Sequence, residues 1–177
     1  MRKLLNEELG RLDIESFKKA PKFPVVVVLD NVRSLNNVGS AFRTSDAFRV
    51  EAVFLCGITA RPPHREIQKT ALGATESVRW KYFGSTDQAV GFLRADGYQT
   101  IAVEQADEST SLNDFRIDKE KKYALIFGNE VKGVADNIVK NANIVLEIPQ
   151  FGTKHSLNIS VSIGVVLWDL WVKMQKI

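Results

Sequence analysis

Three polar segments, each following an apolar run, hold the side chains of this chain best suited to chemistry. The first is Asn36-Asn37-Val38-Gly39, with Arg43 six residues beyond Asn37. The second is Gly128-Asn129-Glu130-Val131-Lys132-Gly133, which follows Leu125-Ile126-Phe127. The third begins at Ile148-Pro149-Gln150-Phe151-Gly152 and runs through Ser156-Leu157-Asn158 into an apolar helical stretch. Together they offer a guanidinium, a carboxylate, amides and a hydroxyl. An arginine keeps its proton in proteins, so its natural work is to grip phosphate or stabilise a forming oxyanion. Glycines on both sides of Glu130 mark a tight loop whose backbone can come close to a ligand. Ser156 and Asn158 are residue types that cap a helix amino terminus, and such a terminus favours a carboxylate or phosphate. Each also has an ordinary role. Arg43 fits an exposed helix arginine, Glu130 a carboxylate capping nearby backbone, and Ser156 or Asn158 a plain cap.

Other chemistries find no support. No Gly-x-Gly-x-x-Gly follows a strand and no Gly-x-x-x-x-Gly-Lys-Ser/Thr occurs, so neither a dinucleotide fingerprint nor a P-loop is indicated. His64 and His155 lack metal spacing, and no metal site is expected. His155-Ser156 has no nucleophile elbow around it. Cys56 ends the apolar run Ala52-Val53-Phe54-Leu55-Cys56 and reads as a buried structural thiol, which excludes a disulfide framework. Between Arg61 and Phe83, Arg61, Arg65, Lys69, Arg79 and Lys81 alternate with Trp80, Tyr82 and Phe83. That mixture suits an RNA surface, since cations neutralise phosphates and aromatics stack on bases. It equally suits a half-buried strand with aromatics inward and charges outward.

The elements that must position these groups follow from pattern. At 177 residues and 45% hydrophobic content the chain is one domain, and its net charge of +3 permits an RNA partner without demanding one. Strands are expected at 25–29, 52–56, 78–83, 99–104, 123–127 and 144–148, with helices near 37–47, 66–72, 86–95, 135–141 and 157–174. This alternation predicts an α/β fold with a mainly parallel sheet and helices on both faces. Ala41, Phe42 and Ala47 are expected to turn inward from the first of these helices, and Val161, Val165, Trp168 and Val172 share one face of the last. The first twenty residues carry Leu4, Leu5, Leu9, Leu12 and Phe17 at helical spacing. With no signal peptide and no membrane-spanning run, a soluble cytoplasmic protein is expected.

Taken in order, the three segments resemble the SpoU (TrmH-type) family of RNA ribose methyltransferases, of the SPOUT class. The resemblance rests on Asn37-Val38-Gly39-Ser40-Ala41-Phe42-Arg43-Thr44, on Phe127 to Val134, and on Ile148-Pro149 through Ser156-Leu157-Asn158. It spans about Val25 to Leu170 and divides the chain into an N-terminal helical extension, 1–22, and a methyltransferase domain, 23–177. It implies a deep trefoil knot near the carboxyl terminus and a bent S-adenosylmethionine held there by Val103, Gly128, Ile148, Ser156 and Leu157, largely through backbone groups. It implies a homodimer, with Trp168 and Trp171 of the final helix available for the interface. The implied reaction moves a methyl group from a sulfonium to a ribose 2′-hydroxyl of RNA. Arg43 would grip phosphate and stabilise the forming alkoxide, while Asn37, Glu130, Ser156 and Asn158 orient it, the ribose and the loops. Gln150 stands where the family usually has methionine, and His155 where arginine is frequent. The extra amino-terminal RNA domain of many relatives has no counterpart here. A transfer RNA target is therefore expected ahead of ribosomal RNA, with a catalytically silent RNA-binding protein as the alternative.

Overall fold

Residues 1–176 are described by a computed structural model, except for the side chains of Asn6 and Lys176. A 3₁₀ turn at Asn6–Leu9 and helix α1, Ile14–Lys19, precede strand β1, Phe23–Asp30. Then come α2 (Leu35–Ala47), β2 (Val50–Cys56), α3 (Arg65–Ala71), α4 (Ala74–Ser77), β3 (Trp80–Phe83) and α5 (Thr86–Ala95). The rest is β4 (Tyr98–Val103), β5 (Thr110–Ser111), β6 (Lys122–Phe127), α6 (Asp136–Asn141), β7 (Ile144–Glu147) and α7 (Ile159–Lys176).

The strands form one sheet in the order β3-β2-β1-β6-β4-β7-β5, and every pairing is parallel. Central strand β1 is a run of valines because both its faces are covered. Val25, Val27 and Leu29 pack with Val38, Phe42, Ile67 and Ile163 from α2, α3 and α7. On the opposite face Val26 and Val28 pack with Ala89, Val90 and Leu93 of α5 and Ile138 of α6. Helices therefore lie on both faces, as the alternation of elements predicts. The chain builds β1, β2 and β3 outward in one direction and places β6, β4 and β7 on the other side of β1. The β1/β6 junction is thus a switch point, where open α/β sheets bind ligands beyond the carboxyl ends of their strands.

Three features differ from the sequence expectation, and the last helix adds which of its faces meets the core. The leucines at 4, 5, 9 and 12 are exposed, and only Phe17 reaches the core. Asp13 accepts the Ser16 N–H at 2.7 Å and starts a separate six-residue helix, so no continuous amphipathic helix forms. Ala47 is exposed, because the buried face of α2 is Val38, Ala41, Phe42 and Ser45. In α7 the inward residues are Ile163, Val166, Leu167 and Leu170, while Val161, Val165 and Trp168 face outward. The short elements α4 and β5 follow no periodic pattern and were not expected.

Candidate active site

The loop after β6 is folded back on itself. Asn129 and Gly133 exchange backbone N–H···O bonds of 3.1 and 3.0 Å, and the Asn129 side-chain oxygen accepts the N–H groups of Val131 and Lys132 at 2.9 and 2.8 Å. A Cβ on residue 128 would fall 1.8 Å from the carbonyl carbon of Gly133. Gly133 itself has φ +67°, with its Cβ position 2.1 Å from Glu104 Oε2. Both positions therefore require glycine.

This folding carries Glu130 across to the β1–α2 connection. Glu130 accepts the backbone N–H of Arg33 at 3.2 Å and of Ser34 at 3.1 Å, and the Asn37 side-chain amide at 2.8 Å. The Asn37 oxygen in turn accepts the Asn158 side-chain amide at 3.3 Å. Asn158 is also the cap of α7, its oxygen accepting the Ser160 N–H at 2.8 Å. One hydrogen-bonded line, Glu130 to Asn37 to Asn158, thus ties the three sequence segments together. Partial burial acts to raise the Glu130 pKa. The Asn37 amide and the N–H groups of Glu130, Arg33 and Ser34 outweigh it and hold the carboxyl below its usual range.

Behind this line lies a cleft of about 750 Å³ between the loops that follow β4, β6 and β7. Val103, Gly128, Ile148, Ser156 and Leu157, the five expected cofactor contacts, all line it, together with Glu130 and Asn158. Ser156 lines the cleft without capping α7, a role that falls to Asn158 alone. Asn37 reaches the site through its bonds. Arg43 lies apart: it is exposed, does not line the cleft and has no hydrogen bond or ion pair among the described residues. Six residues turn a helix by about 600°, so Asn37 and Arg43 leave α2 roughly 120° apart.

Two residues that hold the cleft were not singled out in the sequence. Glu104 Oε2 accepts the Val134 N–H at 2.9 Å, and the Gln105 amide donates to the His155 carbonyl at 2.7 Å. Adjacent residues beyond β4 therefore fix both the loop after β6 and the loop before α7. For Glu104 the signal is a carboxylate at the carboxyl end of an apolar strand, and for Gln105 the sequence carries none. The remaining candidates have structural duties. His64 caps α3 by accepting the Glu66 N–H at 3.2 Å. Burial pushes the Cys56 thiol up to about 12, against a smaller opposing effect from the Thr86 hydroxyl, so the thiol is inert. Among the described residues no three metal-ligating side chains converge, and no helix is long and apolar enough to cross a membrane.

A glycine-walled cleft beside the switch point, bounded by two loops and an amide relay, has a counterpart among known proteins. The model of the SpoU rRNA Methylase family matches residues 24–168. The chain belongs to that family. The SpoU match runs from β1 into α7 and so contains all three loops. A relative from Aquifex aeolicus, named tRNA (guanosine(18)-2′-O)-methyltransferase, is 31% identical over 94% of this chain and 76% of its own length. The solved structure of the A. aeolicus TrmH/SpoU tRNA modifying enzyme superposes with a TM-score of 0.79 at 26% identity, over 92% of this chain and 81% of the other. An AdoMet-bound rRNA methyltransferase from Sinorhizobium meliloti gives 0.77 at 27% identity, over 87% of this chain and 59% of the other. The chain therefore spans little more than half the length of that rRNA methyltransferase.

Proposed function

We propose that this chain transfers a methyl group from S-adenosylmethionine to a ribose 2′-hydroxyl of RNA. The observation that carries the reading is the line Glu130–Asn37–Asn158, which joins three loops at the mouth of one cleft. The cleft fits the cofactor. Its volume of about 750 Å³ is that of a small-molecule site, and Gly128 lets the backbone at Gly133 and Val134 fold tightly against it to shape the wall. Val103, Gly128, Ile148, Ser156 and Leu157 would hold the cofactor, and with mostly apolar or small side chains they leave its polar recognition to backbone N–H and C=O. Bound there, S-adenosylmethionine supplies an electrophilic methyl group on a sulfonium.

Glu130, anionic and holding three donors, fixes the β1–α2 connection and orients Asn37. Arg43, with no carboxylate partner among the described residues, is free to grip the phosphate beside the target ribose and to stabilise the alkoxide that develops as the 2′-hydroxyl proton passes to solvent. Its position on the exposed side of α2 supports a substrate path beside that helix, and its permanent charge suits an electrostatic group rather than a base. Ser156 and Asn158 keep the ribose and the α7 terminus in register.

We favour transfer RNA over ribosomal RNA, because the Aquifex tRNA enzyme is matched over 76% of its length and the ribosomal neighbour over 59%. The same reading takes residues 1–22 as an extension to a methyltransferase domain, 23–177. It also includes a trefoil knot in the carboxyl-terminal segment, action in the cytoplasm without a metal ion, and a homodimer built on the outward apolar face of α7. The test is transfer of labelled methyl to separate pools of unmodified transfer and ribosomal RNA by the wild type and Arg43→Ala. Label recovered as a 2′-O-methyl nucleoside from the transfer RNA pool, and lost in the variant, is expected. RNA binding with no cofactor binding and no label would leave a silent RNA-binding protein.

A further inference from the structure

The basic, aromatic segment between Arg61 and Phe83 divides in two once its contacts are known. Lys69 is paired with Glu66 at 2.7 Å and Arg79 with Glu51 at 3.6 Å. Lys81 lies 4.1 Å over the Phe92 ring of α5, and Phe83 packs on Phe54. Those groups are occupied. Arg61, Arg65, Trp80 and Tyr82 remain. β3 is an edge strand paired only with β2, and register with Val53 and Leu55 sends Trp80 and Tyr82 to the α2–α3 side of the sheet. Each of the two is 37% exposed. The Arg61 guanidinium stacks 4.5 Å over the Tyr82 ring, whose hydroxyl is fixed by donating to the Gly57 carbonyl at 3.0 Å.

This stack is physically joined to the candidate active site. The turn after β2 is bonded to the turn after β1: the Ile58 N–H donates to the Asn31 side chain at 3.2 Å, and the Val32 N–H to the Thr59 hydroxyl at 3.0 Å. The next residue, Arg33, donates its N–H to Glu130. A continuous rim therefore leads along the carboxyl ends of β3, β2 and β1 to the cleft beyond β6. Its exposed arginines, Arg33, Arg61 and Arg65, are in no salt bridge among the described residues.

We propose that this rim is the track for the single-stranded RNA flanking the target nucleotide, with the Arg61–Tyr82 stack as its far anchor. The proposal rests on the RNA methylation proposed above. Unpaired guanidinium groups neutralise phosphates, and a pre-stacked arginine on an aromatic ring presents a flat surface to an unstacked base. Three interstrand steps separate β3 from β6, or about 14 Å. The anchor therefore lies within a few nucleotides of the reacting ribose on the same strand.

Arg61→Ala and Tyr82→Ala, with Tyr82→Phe as control, are to be compared with the wild type. RNA affinity is measured against unmodified transfer RNA transcripts and a ribosomal RNA pool at several salt concentrations. S-adenosylmethionine affinity and methyl transfer at saturating RNA are measured alongside. Removing the ring should weaken RNA binding by about five- to a hundredfold, with Tyr82→Phe close to wild type. Arg61→Ala should weaken binding and lower the salt slope by about one. Cofactor affinity and the saturated rate should not move, which a folding defect would not allow. Wild-type affinity and slope in both alanine variants would remove the track alone and leave this edge to a protein partner. A wild type that binds no RNA, or binds it and methylates none, would remove the functional reading itself.

Discussion

Asn158 serves two elements at once, since its amide oxygen caps α7 and its amide nitrogen reaches Asn37. The two duties can be separated. Asn158→Asp keeps the capping oxygen and loses the donor, so the melting temperature should stay near wild type while methyl transfer falls. A lost hydrogen bond of roughly 1–2 kcal/mol in the reacting complex corresponds to about a 5- to 30-fold drop in rate. Asn158→Ala should lose activity similarly and a further ~1 kcal/mol of stability from the missing cap. Equal melting temperatures for Asp and Ala would refute the cap. Glu130 makes a different prediction, in pH. Its folded pKa lies below the unfolded value of 4.5, so its stabilising contribution is complete above that value and disappears as pH falls through the lowered folded pKa. The stability difference between wild type and Glu130→Gln, from denaturant melts at a series of pH values, should be flat near neutrality and shrink only in the acid range. A difference that instead grows as the solution is acidified would contradict the donor set described for Glu130.

At the scale of elements, α7 shows where sequence pattern works and where it stops. The helix itself is legible, but apolar residues cover more than one face. Periodicity cannot say which stripe meets the core when both are hydrophobic. The sequence groups Val161, Val165 and Trp168 on one face without saying which way it turns, and the core takes the other stripe, Ile163, Val166, Leu167 and Leu170. Ile163→Ala should therefore cost roughly 2–5 kcal/mol, while Val161→Ala should change protomer stability by less than about 0.5 kcal/mol. Chemical denaturation of the two variants measures both. β1 had no such ambiguity, because a short valine run fits a strand buried on both sides. The three site loops were legible through their glycines and polar residues. The placement of Arg43 away from the cleft was not read from the spacing, although six residues of any helix set the turn of about 120° from Asn37. Nor was the double clamp by Glu104 and Gln105, because contacts between separate loops exist only after folding.

For the whole molecule, the outward stripe of α7 is the main departure from what a lone protomer needs. Trp168 is 57% exposed, with one side stacked on Trp171 at 5.7 Å and an edge near Phe48 at 6.3 Å. Val161 and Val165 extend the same stripe toward the helix amino terminus, where Asn158 joins the hydrogen-bonded line to Asn37. A second copy packed about a twofold axis would cover a helix face of this kind, because self-complementary patches close into dimers. Such packing would also bring the partner close to the loops that bound the cleft, so assembly and activity should be linked. The double substitution Val165→Glu and Trp168→Glu places four like charges across the twofold contact without touching the core residues of α7. Light scattering coupled to size exclusion should then report a mass near the protomer's 19.8 kDa, against twice that for the wild type, with unchanged circular dichroism. Methyl transfer should fall with the dimer and recover in part as protein concentration is raised. A variant that keeps the wild-type mass would show that this stripe is not the contact and that α7 carries its exposed tryptophan for another partner.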